Sequence, residues 1–144
     1  MSTNKQQTLQ FGQRVLWMTG LYAGSFIASY STSVWGLMSE TPLSALSDLG
    51  AANSNFMLTT SFWVGLSSIV LSKSNDYQTV KRALLLNAFG FAMWFTCDVY
   101  HYLRAENTYT KLFYFGVVPF SVASMLACSY AAYQMDEADD TQRK

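Results

Sequence analysis

The chain has 144 residues, of which 51% are hydrophobic, 16% aromatic and 12% charged, with a formal net charge of zero. A soluble domain carries about 25% charged residues, so a water-facing surface of ordinary polarity is not available here. The neutral balance, with a pI of about 6.5, excludes a basic nucleic-acid-binding face, and Cys97 and Cys128 sit inside apolar stretches with no CxxC or Cys/His spacing, which excludes a zinc site or a disulfide framework.

The charges are clustered. Most fall in residues 1–14, around Lys73–Arg82, around Arg104–Lys111, and after Gln134. Between these clusters lie four apolar segments, each near the ~20 residues that a membrane-spanning helix needs. A polar N-terminal tail, 1–14, precedes a first span at about 15–34 (VLWMTGLYAGSFIASYSTSV). Its glycines and its aromatic residues Trp17, Tyr22 and Tyr30 favour a retained span over a cleaved signal peptide, although a small-residue site exists near Ala28–Ser29. Gly20, Gly24, Ala28 and Thr32 recur every fourth residue, an extended GxxxG stripe that lets another backbone approach closely.

Thr41-Pro42 reads as a helix start and Gly50 as a stop. Residues 42–49 are amphipathic and too short to span, so two readings stand open, a short interfacial helix or an ordered loop. The second span, about 55–71, carries Ser61 and Gly65 as a shorter small-residue pair. The third, about 80–103, opens on Lys81-Arg82. The fourth, about 112–133, contains Pro119, which is expected to bend it. A charged C-terminal tail, 134–144, follows as a solvated terminus.

From Val15 to Met38 and from Ala83 to Cys97 there is no charged residue. A soluble four-helix bundle requires a polar face on every helix, so the expected fold is an all-α integral membrane four-helix bundle of 15–133. With four spans, Lys5, Arg14, Lys73, Lys81, Arg82, Arg143 and Lys144 fall on one side, against Arg104 and Lys111 on the other. The excess places both termini on the cytoplasmic, or inner, side.

In the third span Asn87, Phe91, Trp94, Asp98 and His101 are spaced 4, 3, 4 and 3, one face of a helix. Ionisable residues within a span point to function, and an Asp–His pair one turn apart can relay a proton, orient a ligand or offer an axial imidazole to a tetrapyrrole. The competing reading is an ordinary span exit. Asp98 stands about 7–8 Å from the helix end at 1.5 Å per residue, among Tyr100, Tyr102 and Arg104. Asn55, on the same outer side, and the deeper Asn87 complete the candidate ligand-binding set Asn55, Asn87, Trp94, Asp98 and His101. The helix-packing set is Gly20, Gly24, Ala28, Ser61 and Gly65, serving contacts inside the bundle or with a partner. No catalytic residue, metal ligand or cofactor is assigned. The two cysteines fall at opposite ends, roughly 15 Å apart along the bundle, beyond disulfide reach.

The layout resembles the small four-helix membrane proteins grouped as DoxX-like, including the p53-inducible protein 11 type. The matching features are a short Pro-containing outer segment (Thr41-Pro42-Leu43), a glycine near the middle of the second span (SFWVGLSSIVL), a basic turn into the third (TVKRALLLNAFG) and a Pro-interrupted fourth. Size and topology are also similar to four-span endoplasmic-reticulum scaffolds of the ergosterol biosynthesis protein 28 kind, from which this chain departs in having no arginine in its second span. The resemblance implies a multi-pass membrane protein without a transferable catalytic residue. The expected role is a non-catalytic scaffold or an accessory subunit, with the lipid membrane, other membrane proteins or a second copy as partners and no nucleic acid. The alternative is a binder or enzyme for a lipid, quinone or sterol at the outer end of the third helix.

Overall fold

The computed structural model describes residues 3–26, 48–103, 115 and 118–140, without the side chains of residues 48–57, 98, 101, 102 and 140. These residues form an all-α bundle of four helices with no strand: α1 (Thr3–Ser25), α2 (Asp48–Leu71), α3 (Tyr77–Leu103) and α4 (Val118–Asp140). Consecutive helices run antiparallel. Gln13 of α1 bonds Ser74 just beyond α2, Asn87 of α3 meets Ser68 of α2, and Lys81 of α3 pairs with Asp136 of α4. Lys5 near the start of α1 meets Asp139 near the end of α4, so the first and last helical turns share one end of the bundle, called here the inner end. Helix α1 packs along α2 and α4, α3 packs along α4, and smaller contacts join α1 and α2 to α3.

The connection from α2 to α3 shows how the local sequence sets this topology. Lys73 and Ser74 donate their amides to the carbonyls of Val70 and Leu71 at 3.1 and 3.0 Å, closing α2 with tighter i→i+3 bonds. Asp76 then caps α3. Its carboxylate accepts the Thr79 amide at 2.8 Å and the Thr79 hydroxyl at 2.5 Å. Those two bonds, the hydroxyl first, hold the Asp76 carboxyl below its ordinary range. A stop and a start this close force an antiparallel helical hairpin.

The core holds Leu16, Val80, Leu84, Met135 and Cys128, all without exposed surface. Small and hydroxyl-bearing residues are also inside: Thr19, Ser61, Ser68, Asn87 and Ser121 are buried. The outside is the reverse. On α3 the exposed positions include Leu85, Leu86, Phe89 and Met93, on α2 Trp63, Leu66 and Val70, and on α4 Phe120, Leu126 and Tyr130. The charge-free exterior begins at one level on all four helices. It starts after Arg14, before Lys73, after Arg82 and before Asp136. These positions are neighbours in space, because Gly12 is packed against Val80, Leu84 and Met135 and Gln13 reaches Ser74.

Among the described residues, no helix is long and apolar enough to cross a membrane. Length is not what falls short, since 23 to 27 residues rise about 35–40 Å. Apolarity is. The first turns of α1 are Thr, Asn, Lys and Gln, and the buried hydroxyls, amides and glycines of α1–α3 lower the average.

Several boundaries differ from the sequence expectation. The N-terminal tail is helical from Thr3, and Leu9 and Gly12 within it are buried. The C-terminal segment, expected as a solvated terminus, continues α4 to Asp140, with Met135 and Ala138 buried. Helix α2 begins at Asp48, so Gly50 lies in its first turn and does not stop a helix. As described, α4 runs from Val118, with Pro119 its second residue, and the residues just before it, 116 and 117, lie outside the described residues. Residues 42–47 of the candidate interfacial helix lie outside the described residues, as do Ala28 and Thr32 of the small-residue stripe.

Candidate functional site

Four residues of the sequence-derived ligand set lie on α3 and Asn55 on α2, and the structure describes two of the five side chains, Asn87 and Trp94. Asn55, Asp98 and His101 belong to α2 and α3 by their backbones, and their side chains lie outside the described residues. Asn87 is buried and donates its amide to the Ser68 hydroxyl at 2.8 Å. Ser68 in turn donates to the Val64 carbonyl at 2.7 Å. A buried amide left without a partner is costly, and this chain from α3 through α2 relieves it. The sequence does not pair Asn87 with Ser68, which stands one turn after Val64 on the face of α2 that also bears Ser61 and Gly65.

Trp94 is half-buried in an aromatic cluster. Its ring meets Phe91 edge-on at 5.3 Å and Phe26 at 6.2 Å. Tyr22 of α1 stands within 5.3 to 6.1 Å of Phe26, Phe91 and Phe120. Its hydroxyl lies 3.0 Å from that of Ser121 in α4. Three helices thus converge on Tyr22, and the T-shaped and offset arrangements are the favourable ones for aromatic rings. The cluster lies one helical turn before Asp98 along α3. No sequence spacing within one helix reveals it, because its members come from α1, α3 and α4.

The small residues meet one another inside the bundle. A β-carbon built on Gly65 would overlap the Gly24 backbone nitrogen and stand 2.6 Å from both the Gly20 carbonyl oxygen and the Gly24 α-carbon. One built on Gly20 would stand 2.9 Å from the Gly65 carbonyl oxygen. The α1 and α2 backbones are therefore in contact at Gly20, Gly24 and Gly65, with Ser61 buried one turn along α2. Gly12, which the sequence reading passed over, repeats the device toward α3 and α4. Its β-carbon would stand 3.1 Å from Leu84 Cδ1 and Met135 Sδ. It sits eight residues before Gly20, on the same row.

The inner end is tied by a polar cap. The Tyr77 hydroxyl donates to the Met135 carbonyl at 2.5 Å and lies 3.4 Å from the Thr8 hydroxyl. Lys5 Nζ stands 4.6 Å above the Tyr77 ring and 2.5 Å from Asp139 Oδ1. Lys81 pairs with Asp136. Cys128 is buried against Thr19, its Sγ 3.8 Å from the hydroxyl, and Cys97 is exposed on α3. Among the described residues no three of His, Cys, Asp and Glu come together as a metal-binding group.

Comparison with family models, curated protein sequences and solved structures finds no match to this chain.

Proposed function

We propose that this is a four-span integral membrane protein with its inner end, and so both termini, on the cytoplasmic side, acting as a non-catalytic scaffold or an accessory subunit of a larger membrane complex. The observation that carries this reading is the charge-free apolar exterior that begins at one level on all four helices. From Ala83 to Cys97 α3 carries no charge over about 21 Å, and from Leu49 to Val70 α2 carries none over about 32 Å, against the ~30 Å hydrocarbon thickness. Large apolar side chains outside and small hydroxylated ones inside suit a lipid-facing bundle, whose helices associate by close packing and hydrogen bonds. The basic residues gather at the inner end, as the positive-inside rule requires. A core filled at the glycine contacts and at Leu16, Leu84 and Met135 favours a structural role over an internal reaction chamber.

A second reading is a binder of a lipid, quinone or sterol near Asp98 and His101. The aromatic cluster of Tyr22, Phe26, Phe91 and Trp94, one turn before Asp98 along α3, favours it as an apolar wall.

Cysteine labelling tests the membrane reading. In native membranes, with the exposed Cys97 replaced by serine, Phe89→Cys is expected to resist a charged, membrane-impermeant maleimide, whereas Gln7→Cys at the inner end reacts in opened vesicles. Equal labelling of the two positions refutes it. Native mass spectrometry from mild detergent then separates the roles. Other polypeptides bound to the 16.2 kDa chain support the subunit reading. A bound small molecule lost in Asp98→Asn and His101→Ala moves the assignment to the second.

A further inference from the structure

At the inner end, between α1 and the turn that follows α2, lies an open cleft of about 530 Å³. Arg14 of α1 and Lys73 of the turn stand on its two sides. The other described cations of this end are answered by acids: Lys5 by Asp139, Lys81 by Asp136, and Arg82 by the nearby Asp76. Arg14 and Lys73 have no acidic partner among the described residues. Two like charges from separate elements are thus held at one cleft with nothing opposite in sign between them.

The fold holds them there. Gln13, itself in the cleft wall, donates its side-chain amide to the Ser74 carbonyl at 2.7 Å. That bond pins the turn to α1, and the turn's own bonds from Lys73 and Ser74 back to Val70 and Leu71 fix its shape. The remaining wall changes character along the helix axis. Gln10 and Ser72 add polar lining at the inner side, Trp17 and Met18 stand exposed on the outer side, and Leu21 follows one turn further out. The cleft therefore has a cationic mouth at the level where the charge-free exterior begins and an apolar track leading away from it.

We propose that this cleft binds a phosphate group through Arg14 and Lys73, and specifically the headgroup phosphate of an anionic membrane lipid whose chain runs over Trp17, Met18 and Leu21. The guanidinium offers two parallel N–H donors to phosphate oxygens, and the ammonium adds a point charge. Trp17 sits where an indole ring meets the headgroup region. A zwitterionic lipid brings a quaternary ammonium beside two cations and is disfavoured. The lipid source rests on the membrane reading above; the phosphate chemistry does not.

The test is native mass spectrometry of the full chain in mild detergent with equal amounts of phosphatidylglycerol and phosphatidylcholine of the same acyl chains, and separately with inorganic phosphate. Retention of phosphatidylglycerol is expected to exceed that of phosphatidylcholine, and the preference to fall about tenfold or more in Arg14→Gln/Lys73→Gln. Arg82→Gln, a cation outside the cleft, leaves it unchanged, and Lys73→Arg retains it. Equal retention of both lipids, or a preference that survives in Arg14→Gln/Lys73→Gln, overturns the proposal. Inorganic phosphate bound by the wild type and lost in that variant, with no lipid preference, keeps the phosphate site and overturns its lipid source. Failure of the membrane reading is distinct, because Phe89→Cys then labels from water and neither lipid is retained.

Discussion

Replacing Gly65 by alanine adds one methyl group at the point where two backbones touch. Alanine is the better helix former by about 0.8–1 kcal/mol, so on propensity alone the variant gains stability. The contact opposes it. The new β-carbon would lie 2.6 Å from the Gly20 carbonyl oxygen, and ordinary contact begins at 3.4 Å. Helices α1 and α2 must part by about 0.8 Å, and a gap of that size forfeits a quarter to a half of each dispersion contact along the seam. Neither neighbour can yield as a flexible side chain would, because both are backbone. Overpacking of this kind costs about 1–3 kcal/mol, and the net expectation is a loss of up to about 2 kcal/mol once propensity is subtracted. Two controls sharpen it. A β-carbon on Gly24, in the same seam, would meet the Gly65 α-carbon at 3.9 Å, and one on Gly90 meets nothing within 4 Å. Gly24→Ala and Gly90→Ala should therefore each gain about 0.5–1 kcal/mol. Chemical unfolding followed by far-ultraviolet circular dichroism in mild detergent gives the order Gly90→Ala and Gly24→Ala above wild type above Gly65→Ala. If Gly65→Ala matches the other two, the α1–α2 seam is not in backbone contact and the assignment of these glycines fails.

Three further outcomes follow from the other ties. Asp76→Asn removes the charge that caps α3. Because the folded carboxyl lies below its ordinary range, its contribution is present at neutral pH and is lost as pH falls through the folded value. The variant should melt below wild type at pH 7, with the difference shrinking below about pH 4; a constant difference across that range refutes the charge as its source. Tyr77→Phe deletes the hydroxyl that donates to Met135 and should cost about 1 kcal/mol in the same unfolding assay, and an unchanged midpoint means that bond contributes nothing. For Ser68 and Asn87 the measurement is a double-mutant cycle of Ser68→Ala and Asn87→Ala. A coupling of about 0.6 kcal/mol is expected for a hydrogen bond between packed helices, and additive effects refute the pairing.

The four helices were legible because charge-free intervals and charge clusters alternate along the chain, and that alternation survives any exchange of residues within an interval. Their ends were less legible. Lys5, Leu9 and Gly12 look like a polar tail until Asp139, Tyr77, Leu84 and Met135 are brought opposite them, and those partners lie more than sixty residues away. At the candidate site the sequence placed Asn87 and Trp94 on one face of α3, which is a property of a single helix. It did not place Ser68 beside Asn87, nor Tyr22 and Phe26 beside Trp94, because cross-helix register is set by which small residues let two backbones close up. The glycine contacts fix that register, and no period within one segment contains it.

The same contacts bear on why these helices are only weakly apolar on average. A bundle in water segregates its residues, polar outside and apolar inside, and its helices then show a charged stripe. Here Leu85, Leu86, Phe89 and Met93 point out while Asn87 and Ser68 bond within, so the polar groups of α2 and α3 are spent on each other. Averaging over a whole helix mixes those inward amides and hydroxyls with the outward leucines, and the mean of +0.12 for the chain records the mixture. What a bilayer meets is the outer surface alone. Judged by that surface, α3 between Arg82 and Asp98 offers no charge to solvate, and its exposed side chains include Leu85, Leu86, Phe89 and Met93. Placing a lysine there, as in Phe89→Lys, separates the two environments. On a water-exposed helix such a change falls within about ±0.5 kcal/mol. At the centre of a bilayer the insertion cost is about 2.5–3.5 kcal/mol, enough to reduce the membrane-inserted yield severalfold, and a variant that accumulates normally in the membrane fraction would overturn the lipid-facing assignment of that surface.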